Sequence, residues 1–151
     1  MLIHRSVLVT VAAPDAFAVV ADVERYAEFL PSCEAVEVLS KTPADAAMAA
    51  EQTVEARVTA RTPGGRVEFV TRNRQQAPQT IALTLVSGPI QELNGEWHFQ
   101  PLGDAGCRID LRLQIDGGGW LMRLLKKAAE KAADQMVDAF VREIEARAEA
   151  S

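Results

Sequence analysis

The stretch that decides the fold begins with Gly117-Gly118-Gly119-Trp120-Leu121-Met122-Arg123-Leu124-Leu125. It continues to Ala150 without a further glycine or any proline. Its apolar residues recur at spacings of three and four, which is typical of an amphipathic helix. At about 1.5 Å per residue, this helix would extend roughly 45 Å. A helix of this kind is not stable alone in water, so we expect it to lie on an apolar surface formed by the rest of the chain.

The preceding residues show the alternation of a β-rich domain. A strand over 3–11 is followed by two short helices, the first near 13–22 and the second ended by Pro31. Six more strands are predicted, over 33–39, 46–58, 66–74, 80–86, 90–100 and 107–116. Short connections favour antiparallel pairing of neighbours. We therefore predict one α+β domain over 1–151, with a curved seven-stranded antiparallel sheet wrapped around the long C-terminal helix.

Asn94-Gly95 is a dipeptide that could form a two-residue hairpin turn. We prefer a continuous strand with a glycine bulge or close contact at Gly95, because Gly88-Pro89 already supplies a turn and Trp97 and Phe99 continue the face of Leu93.

Composition narrows the class of protein. The 151 residues carry a net charge of −5, which argues against DNA binding and against broad, charge-driven nucleic-acid binding. Aromatic residues are only 5%, so any cavity would be lined mainly by aliphatic side chains. No run of about 18 apolar residues and no signal peptide is present, so we expect a cytoplasmic protein. Cys33 and Cys107 form no CxxC pattern, and we expect both to be reduced and buried.

The sequence lacks the motifs that would indicate catalysis or metal binding. His4 and His98 are the only histidines, and both occupy outward positions of different predicted strands. They form neither an HxH nor an HExxH arrangement, and no GxSxG, P-loop or paired Cys/His motif occurs. We therefore predict no catalytic residue, no metal and no cofactor, and expect the protein not to be an enzyme.

Several segments carry a family resemblance. They are 22–26 (Asp-Val-Glu-Arg-Tyr), 29–33 (Phe-Leu-Pro-Ser-Cys), 69–73 (Phe-Val-Thr-Arg-Asn), 135–140 (Gln-Met-Val-Asp-Ala-Phe) and, most specifically, the Gly-Pro…Leu-x-Gly-x-Trp-x-Phe run over 88–99. The chain resembles the helix-grip, START-like (SRPBCC) superfamily, and within it the branch of coenzyme-Q-binding proteins and ribosome-association toxins. Two features depart from that pattern: Ile90 replaces a frequent aromatic residue, and the last helix begins in an unusual run of glycines.

The resemblance implies a function in one of three classes. The first is non-enzymatic binding of ubiquinone or a related polyisoprenoid lipid between sheet and helix, in support of quinone-dependent respiration. The alternative is a toxin that binds the large ribosomal subunit and blocks subunit joining. The third is an enzyme similar to polyketide aromatase/cyclases. For the lipid function, the loops at Pro31 and Gly88 and the start of the last helix would open, with transient contact at the inner membrane.

The residues expected to line the space between sheet and helix are large and apolar. We predict Phe29, Leu30, Phe69, Trp97, Phe99, Leu121, Leu124, Met136 and Phe140. Four alanines of the last helix, Ala128, Ala129, Ala132 and Ala133, either leave volume for a ligand or let the helix approach the sheet closely.

Arginines in the middle strands bear on the ribosome alternative. They are Arg57, Arg61, Arg66, Arg72 and Arg74. On one face they could contact RNA phosphates, but Glu51, Glu55 and Glu68 are interleaved with them and favour cross-strand ion pairs instead.

Overall fold

The computed structural model describes residues 1–42, 51–62, 64–117 and 119–150, except for the side chains of 120–122, 124–125 and 127. The elements follow the predicted order. They are β1 (Leu2–Val9), α1 (Ala13–Ala21), a 3₁₀ turn (Val23–Arg25), α2 (Tyr26–Phe29), β2 (Cys33–Thr42), β3 (Glu51–Thr62), β4 (Gly65–Gln76), β5 (Thr80–Ser87), β6 (Glu92–Pro101), β7 (Cys107–Asp116) and α3 (Gly119–Ala150). Positions 46–50 of the predicted third strand lie outside the described residues.

The strands form one curved, open antiparallel sheet in the order β1-β7-β6-β5-β4-β3-β2. From β2 to β7, each strand pairs with its neighbour in sequence. Only β1 crosses the domain, and it pairs with β7 along its whole length, from Leu2 opposite Gln114 to Val9 opposite Cys107. The predicted helix-grip fold is therefore confirmed.

Alternation assigns one face of the sheet to the core. In β6, Trp97 and Phe99 are 5% and 1% exposed, whereas the intervening His98 is exposed. The apolar face is covered by α1 and by the C-terminal half of α3, where Phe140 and Ile144 are buried. An ion pair of 2.5 Å between Arg5 Nε and Asp134 Oδ1 joins β1 to α3.

The alanines of α3 do not all behave alike. Ala129 and Ala133 are 6% and 4% exposed and pack with Ile3 against the partly buried Leu113. At these two positions the short side chain lets the helix approach β1 and β7 closely, which is the second of the two interpretations of the alanines. Ala132, by contrast, is exposed.

Gly95 lies inside β6, opposite Leu83 on one side and Leu113 on the other, in an uninterrupted register. A Cβ atom added to it would come within 2.8 Å of Leu113 Cδ2 and 3.0 Å of Leu83 Cγ. The continuous-strand prediction is thus confirmed, with close side-chain contact as the reason for glycine. The alternative of a two-residue turn at Asn94-Gly95 is wrong.

Candidate ligand-binding cavity

An apolar cavity of about 250 Å³ lies between the inner face of the sheet and the helices α2 and α3. Its lining consists of Val23, Tyr26, Leu30, Cys33, Val58, Thr71, Asn73, Ile81, Leu83, Leu93, Trp97, Leu111, Leu113, Met136 and Phe140. Most of these side chains are apolar, and none of the described lining residues carries a formal charge. The volume is slightly below the usual range of small-molecule sites, roughly 300–1,000 Å³, so the cavity holds a compact ligand or one part of a longer one.

A cluster of aromatic rings forms one wall of the cavity. The ring of Phe140 on α3 lies 5.0 Å from Trp97, 5.2 Å from Tyr26 and 5.4 Å from Phe29, in each case edge-to-face. This arrangement is favourable for aromatic quadrupoles and adds to the burial of area. Because Trp97 lies on β6 and both Tyr26 and Phe29 lie on α2, Phe140 joins the long helix to the sheet and to the short helix beside the cavity.

The polar groups of Tyr26 and Cys33 border the cavity, and both are uncharged because they are shielded by the protein. The Tyr26 hydroxyl donates a short hydrogen bond to the carbonyl oxygen of Val20, and burial raises the pKa of this phenol. Burial also raises the pKa of the Cys33 thiol. Both groups are therefore neutral at physiological pH. Cys33 and Cys107 are free thiols, but only Cys107 is fully buried, because Cys33 borders the cavity and the Pro31 loop.

The inner face of β4 carries a row of three buried polar side chains, Thr71, Asn73 and Gln75, which are 9%, 6% and 4% exposed. Gln75 Nε2 donates a hydrogen bond of 2.9 Å to the carbonyl oxygen of Ala21. Asn73 borders the cavity, and its Oδ1 has no hydrogen-bond partner among the described residues. Of the three, Thr71 and Asn73 line the cavity and Gln75 does not.

Four of the nine predicted lining residues, Leu30, Trp97, Met136 and Phe140, line this cavity. Of the remaining five, Phe29, Phe69 and Phe99 lie outside the lining, and the side chains of Leu121 and Leu124 lie outside the described residues. Whether any of the nine contacts a ligand stays a prediction.

Phe99 is placed behind the cavity, 1% exposed and 5.4 Å from the ring of Phe17, because α1 covers that end of β6. Phe69 packs with Val67 and Ile90 in a separate apolar cluster. Phe29 borders a groove on the outside of α2, beneath the guanidinium of Arg147 at 5.8 Å from the ring centre. The side chains of Leu121 and Leu124 lie outside the described residues.

Sequence reasoning missed most of the aliphatic lining. Four of the missed residues come from inward positions of β5 and β7, namely Ile81, Leu83, Leu111 and Leu113, and the others are Val23, Val58 and Leu93. Alternation of apolar and polar residues in β5 and β7 places Ile81, Leu83, Leu111 and Leu113 on the inner face. It does not show which inward side chains pack against a helix and which border the cavity. Choosing the largest apolar residues favoured phenylalanines such as Phe69 and Phe99, whose rings pack against other side chains and do not line the cavity.

A second space, of about 220 Å³, adjoins this cavity and lies at the surface beside the Pro31 loop. It shares Leu30, Cys33 and Met136 with the cavity, and Ala132 of α3 borders it. The predicted entrance at Pro31 is therefore adjacent to the cavity. The predicted opening at Gly88 and at the start of α3 stays a prediction.

The outer face of the sheet bears the histidines and most of the arginines. His4 Nε2 lies 3.6 Å from Asp110 Oδ1, and His98 lies opposite Asp110 in the ladder. A polar groove of about 380 Å³ contains both, together with Glu96, Arg108 and Arg112. The described residues include no cluster of three or more His, Cys, Asp or Glu side chains that could hold a metal ion.

The five arginines of β3 and β4 are paired with carboxylates. Arg61 and Arg66 both contact Glu34, at 2.7 and 2.5 Å. The other pairs are Arg57 with Glu37 at 3.1 Å, Arg72 with Glu55 at 3.4 Å and Arg74 with Glu51 at 3.6 Å. The expectation of ion pairs across the strands is confirmed for Glu51 and Glu55, and the remaining three arginines pair with Glu34 and Glu37 of β2.

No helix in the described part of the chain is long and apolar enough to cross a membrane.

Comparisons with known proteins agree on the family and the fold. Residues 9–141 match the family model described as polyketide cyclase/dehydrase and lipid transport. A protein of Pseudomonas aeruginosa named ribosome association toxin RatA is 39% identical over 139 residues, which are 91% of this chain and 91% of that one. The Zhui aromatase/cyclase of Streptomyces sp. R1128 superposes with a TM-score of 0.85 at 19% identity, over 98% of this chain and 95% of that one. A START superfamily protein of Mycobacterium smegmatis gives a TM-score of 0.76 at 18% identity, over 95% and 97%.

Proposed function

We propose that this chain, which belongs to the polyketide cyclase/dehydrase and lipid transport family, binds a hydrophobic small molecule in the cavity beneath α3. The observation that carries the proposal is the cavity itself: about 250 Å³ of space inside an apolar lining, next to a second space that reaches the surface at Pro31. An unfilled apolar space costs stability in proportion to its volume, and voids larger than a water molecule are few in a folded domain.

The finer proposal is that the ligand is ubiquinone or a related polyisoprenoid lipid and that the protein supports quinone-dependent respiration. Each methylene that moves from water into the cavity contributes about 0.8 kcal/mol. The volume admits a ring with the first part of its tail, and the longer remainder would follow the space past Met136 to the surface. Loading from the inner membrane would take place at that opening.

We further propose that binding is not coupled to catalysis. The two histidines lie on the outer face of the sheet, away from the cavity, and the polar groups of the lining are neutral. The likeness to the aromatase/cyclase is one of fold alone, at 19% identity. Incubation with a model polyketide and product analysis would test this part of the proposal, and turnover would contradict it.

Native mass spectrometry with lipid extraction, on protein purified gently from its own organism, tests the ligand-binding function. We expect a stoichiometric quinone or isoprenoid in the wild-type protein. A Val58→Phe variant, which adds a ring to the lining, should be purified empty. Wild-type protein that is empty and fails to bind N-phenyl-1-naphthylamine, a neutral fluorescent probe of apolar sites, would refute the function.

A second candidate is association with the large ribosomal subunit, favoured by the relative that carries the name of a ribosome association toxin at 39% identity. The paired arginines on β3 and β4 argue against a purely electrostatic contact, since each would have to exchange a carboxylate for a phosphate. Sedimentation with purified large subunits at low and high salt tests this candidate. Binding that weakens steeply with salt would support it, and a protein that stays in the supernatant at low salt would refute it.

A further inference from the structure

The inner face of β4 presents two hydrogen-bond donors to the cavity, the hydroxyl group of Thr71 and the amide nitrogen of Asn73. Both side chains are more than nine-tenths buried, and neither donor has a partner within the described part of the chain. In that part, the side-chain polar atoms that are both unpaired and covered by protein are Asn73 Oδ1 and Arg147 Nη2. The Thr71 hydroxyl and Asn73 Nδ2 are unpaired but not covered, so a molecule in the cavity can reach them.

The sheet around these two donors explains why the protein does not pair them. Their cross-strand neighbours on β3 and β5 are all aliphatic: Val54, Ala56, Leu83 and Leu85. None of these side chains can accept a hydrogen bond. Gln75, the next inward residue of β4, differs because its Nε2 reaches the carbonyl oxygen of Ala21 at 2.9 Å. Most buried polar groups in folded proteins are paired, and a molecule in the cavity can supply the partner that the fold does not give to Thr71 and Asn73.

We infer that Thr71 and Asn73 form a subsite for a carbonyl oxygen of a neutral, otherwise apolar ligand, with Thr71 Oγ1 and Asn73 Nδ2 as the donors. This inference rests on the proposed ligand-binding function and names the group by which the ligand is held. The two residues are separated by one position on the same face of a strand, which puts them roughly 6 to 7 Å apart. An oxygen atom between the two side chains is therefore within reach of both donors.

The chemistry of the two donors selects the ligand group. Asn73 Nδ2 can only donate, so the atom opposite it must be an acceptor, and a carbonyl oxygen has two lone pairs for two donors. A ketone or a quinone has this group and a hydrocarbon does not. A carboxylate is disfavoured, since the described lining offers no positive charge to balance it. The subsite thus suits the ring of the proposed quinone and leaves its tail to the second space beside Pro31, which neither Thr71 nor Asn73 borders.

The test compares two probes that share a carbon skeleton and differ in the carbonyl oxygens: tetramethylbenzoquinone and 1,2,4,5-tetramethylbenzene. Full methylation of the quinone ring blocks addition of the Cys33 thiol, which also borders the cavity. Affinities are measured by equilibrium dialysis, with extraction and gas chromatography of both compartments. The hydrocarbon leaves water more readily than the quinone does, so the informative quantity is the change in each affinity between the wild-type protein and a variant.

Thr71→Val is the decisive variant, because valine keeps the shape of threonine and removes only the hydroxyl group. It should weaken binding of the quinone roughly 2- to 12-fold, which corresponds to one neutral hydrogen bond, and leave binding of the hydrocarbon equal or tighter. The midpoint of urea denaturation should stay equal or rise, because the hydroxyl has no partner in the protein to lose. Asn73→Leu should also weaken the quinone more than the hydrocarbon. Thr84→Val, at an exposed position of β5 outside the lining, is the matched control and should bind both probes as the wild-type protein does.

The proposed function and this inference fail in different ways. If neither probe binds the wild-type protein, the small-molecule function is refuted for this ligand class and the inference with it. If the probes bind but Thr71→Val retains the wild-type affinity for the quinone, or weakens both probes equally, the function stands and the carbonyl subsite is refuted.

Discussion

Replacing Gly95 with alanine should weaken ligand binding while leaving the fold nearly as stable as before. The added Cβ would lie 2.8 Å from Leu113 Cδ2 and 3.0 Å from Leu83 Cγ, whereas ordinary contact begins near 3.4 Å. Each leucine must therefore retreat by several tenths of an ångström. Both leucines border the cavity, so the space into which they can move is the space that a ligand would fill.

The magnitude follows from two opposing effects. Overpacking a filled core costs about 1 to 3 kcal/mol, whereas alanine in a strand interior is favoured over glycine by roughly 0.5 to 1 kcal/mol. Because the leucines retreat into empty volume, we expect the cost at the low end, and a net change in the free energy of unfolding within about 1 kcal/mol. Binding of N-phenyl-1-naphthylamine should weaken about tenfold, which corresponds to about 1.4 kcal/mol.

Gly88→Ala is the matched control. Its added Cβ would lie 3.0 Å from Phe69 Cδ1 and 3.2 Å from Leu85 Cδ1, and neither of these residues lines the cavity. This variant should lose stability in urea denaturation but retain the affinity of the wild-type protein for the probe. The reasoning is refuted if Gly95→Ala costs more than about 3 kcal/mol, the upper end for a filled core, or if the two variants bind the probe equally well.

Three further predictions concern stability. Phe140→Ala should lower the free energy of unfolding by about 3 to 5 kcal/mol in urea denaturation. Phe140→Leu should lower it by less, because leucine retains part of the apolar volume. Equal losses of unfolding free energy in the two variants would contradict the role of the Phe140 ring in packing. Burial raises the pKa of Tyr26, the single tyrosine, so the folded state should lose stability as pH rises above about 10. Tyrosinate absorbance should appear together with the loss of circular dichroism and not before it. The hydrogen bond from Arg61, together with Arg66, lowers the pKa of Glu34. The stability of the folded state should therefore fall as pH drops below the ordinary carboxyl range. An NMR titration that gives Glu34 an ordinary pKa would contradict this.

The fold was predictable because its signals are periodic and consistent with one another. Alternation assigned the buried positions of β6 and β7 correctly, and Pro31 ended the second short helix within two residues of the observed Phe29. The errors lie at the ends of elements, because backbone hydrogen bonding, and not the side-chain pattern, determines where a strand or helix ends. The strand predicted to run to Val11 ends at Val9, and the strand predicted to end at Leu39 continues to Thr42 along β3.

The cavity was less predictable, because empty volume is a property of three-dimensional distance and not of sequence pattern. Phe99 and Trp97 occupy equivalent inward positions of β6, yet only Trp97 borders the cavity, since α1 packs over Phe99. Ala129 and Ala133 likewise look like positions that leave space, but the helix moves close to β1 there and closes it. Which inward residue borders the cavity depends on where the helices pack on the sheet. The helix positions in turn follow from the sum of many side-chain contacts between helices and sheet.

The polar residues on the inner face of β4 are where local pattern and global fold disagree. Alternation places Thr71 and Asn73 on the face of Val67 and Phe69, which a simple pattern would complete with further apolar residues. Such violations of a local rule are expected at functional sites, where stability is given up for binding. Gln75 is explained by its bond to Ala21, and Asn73 has no such explanation within the described residues. Asn73 borders the cavity all the same, at a position that a search for large apolar side chains passes over.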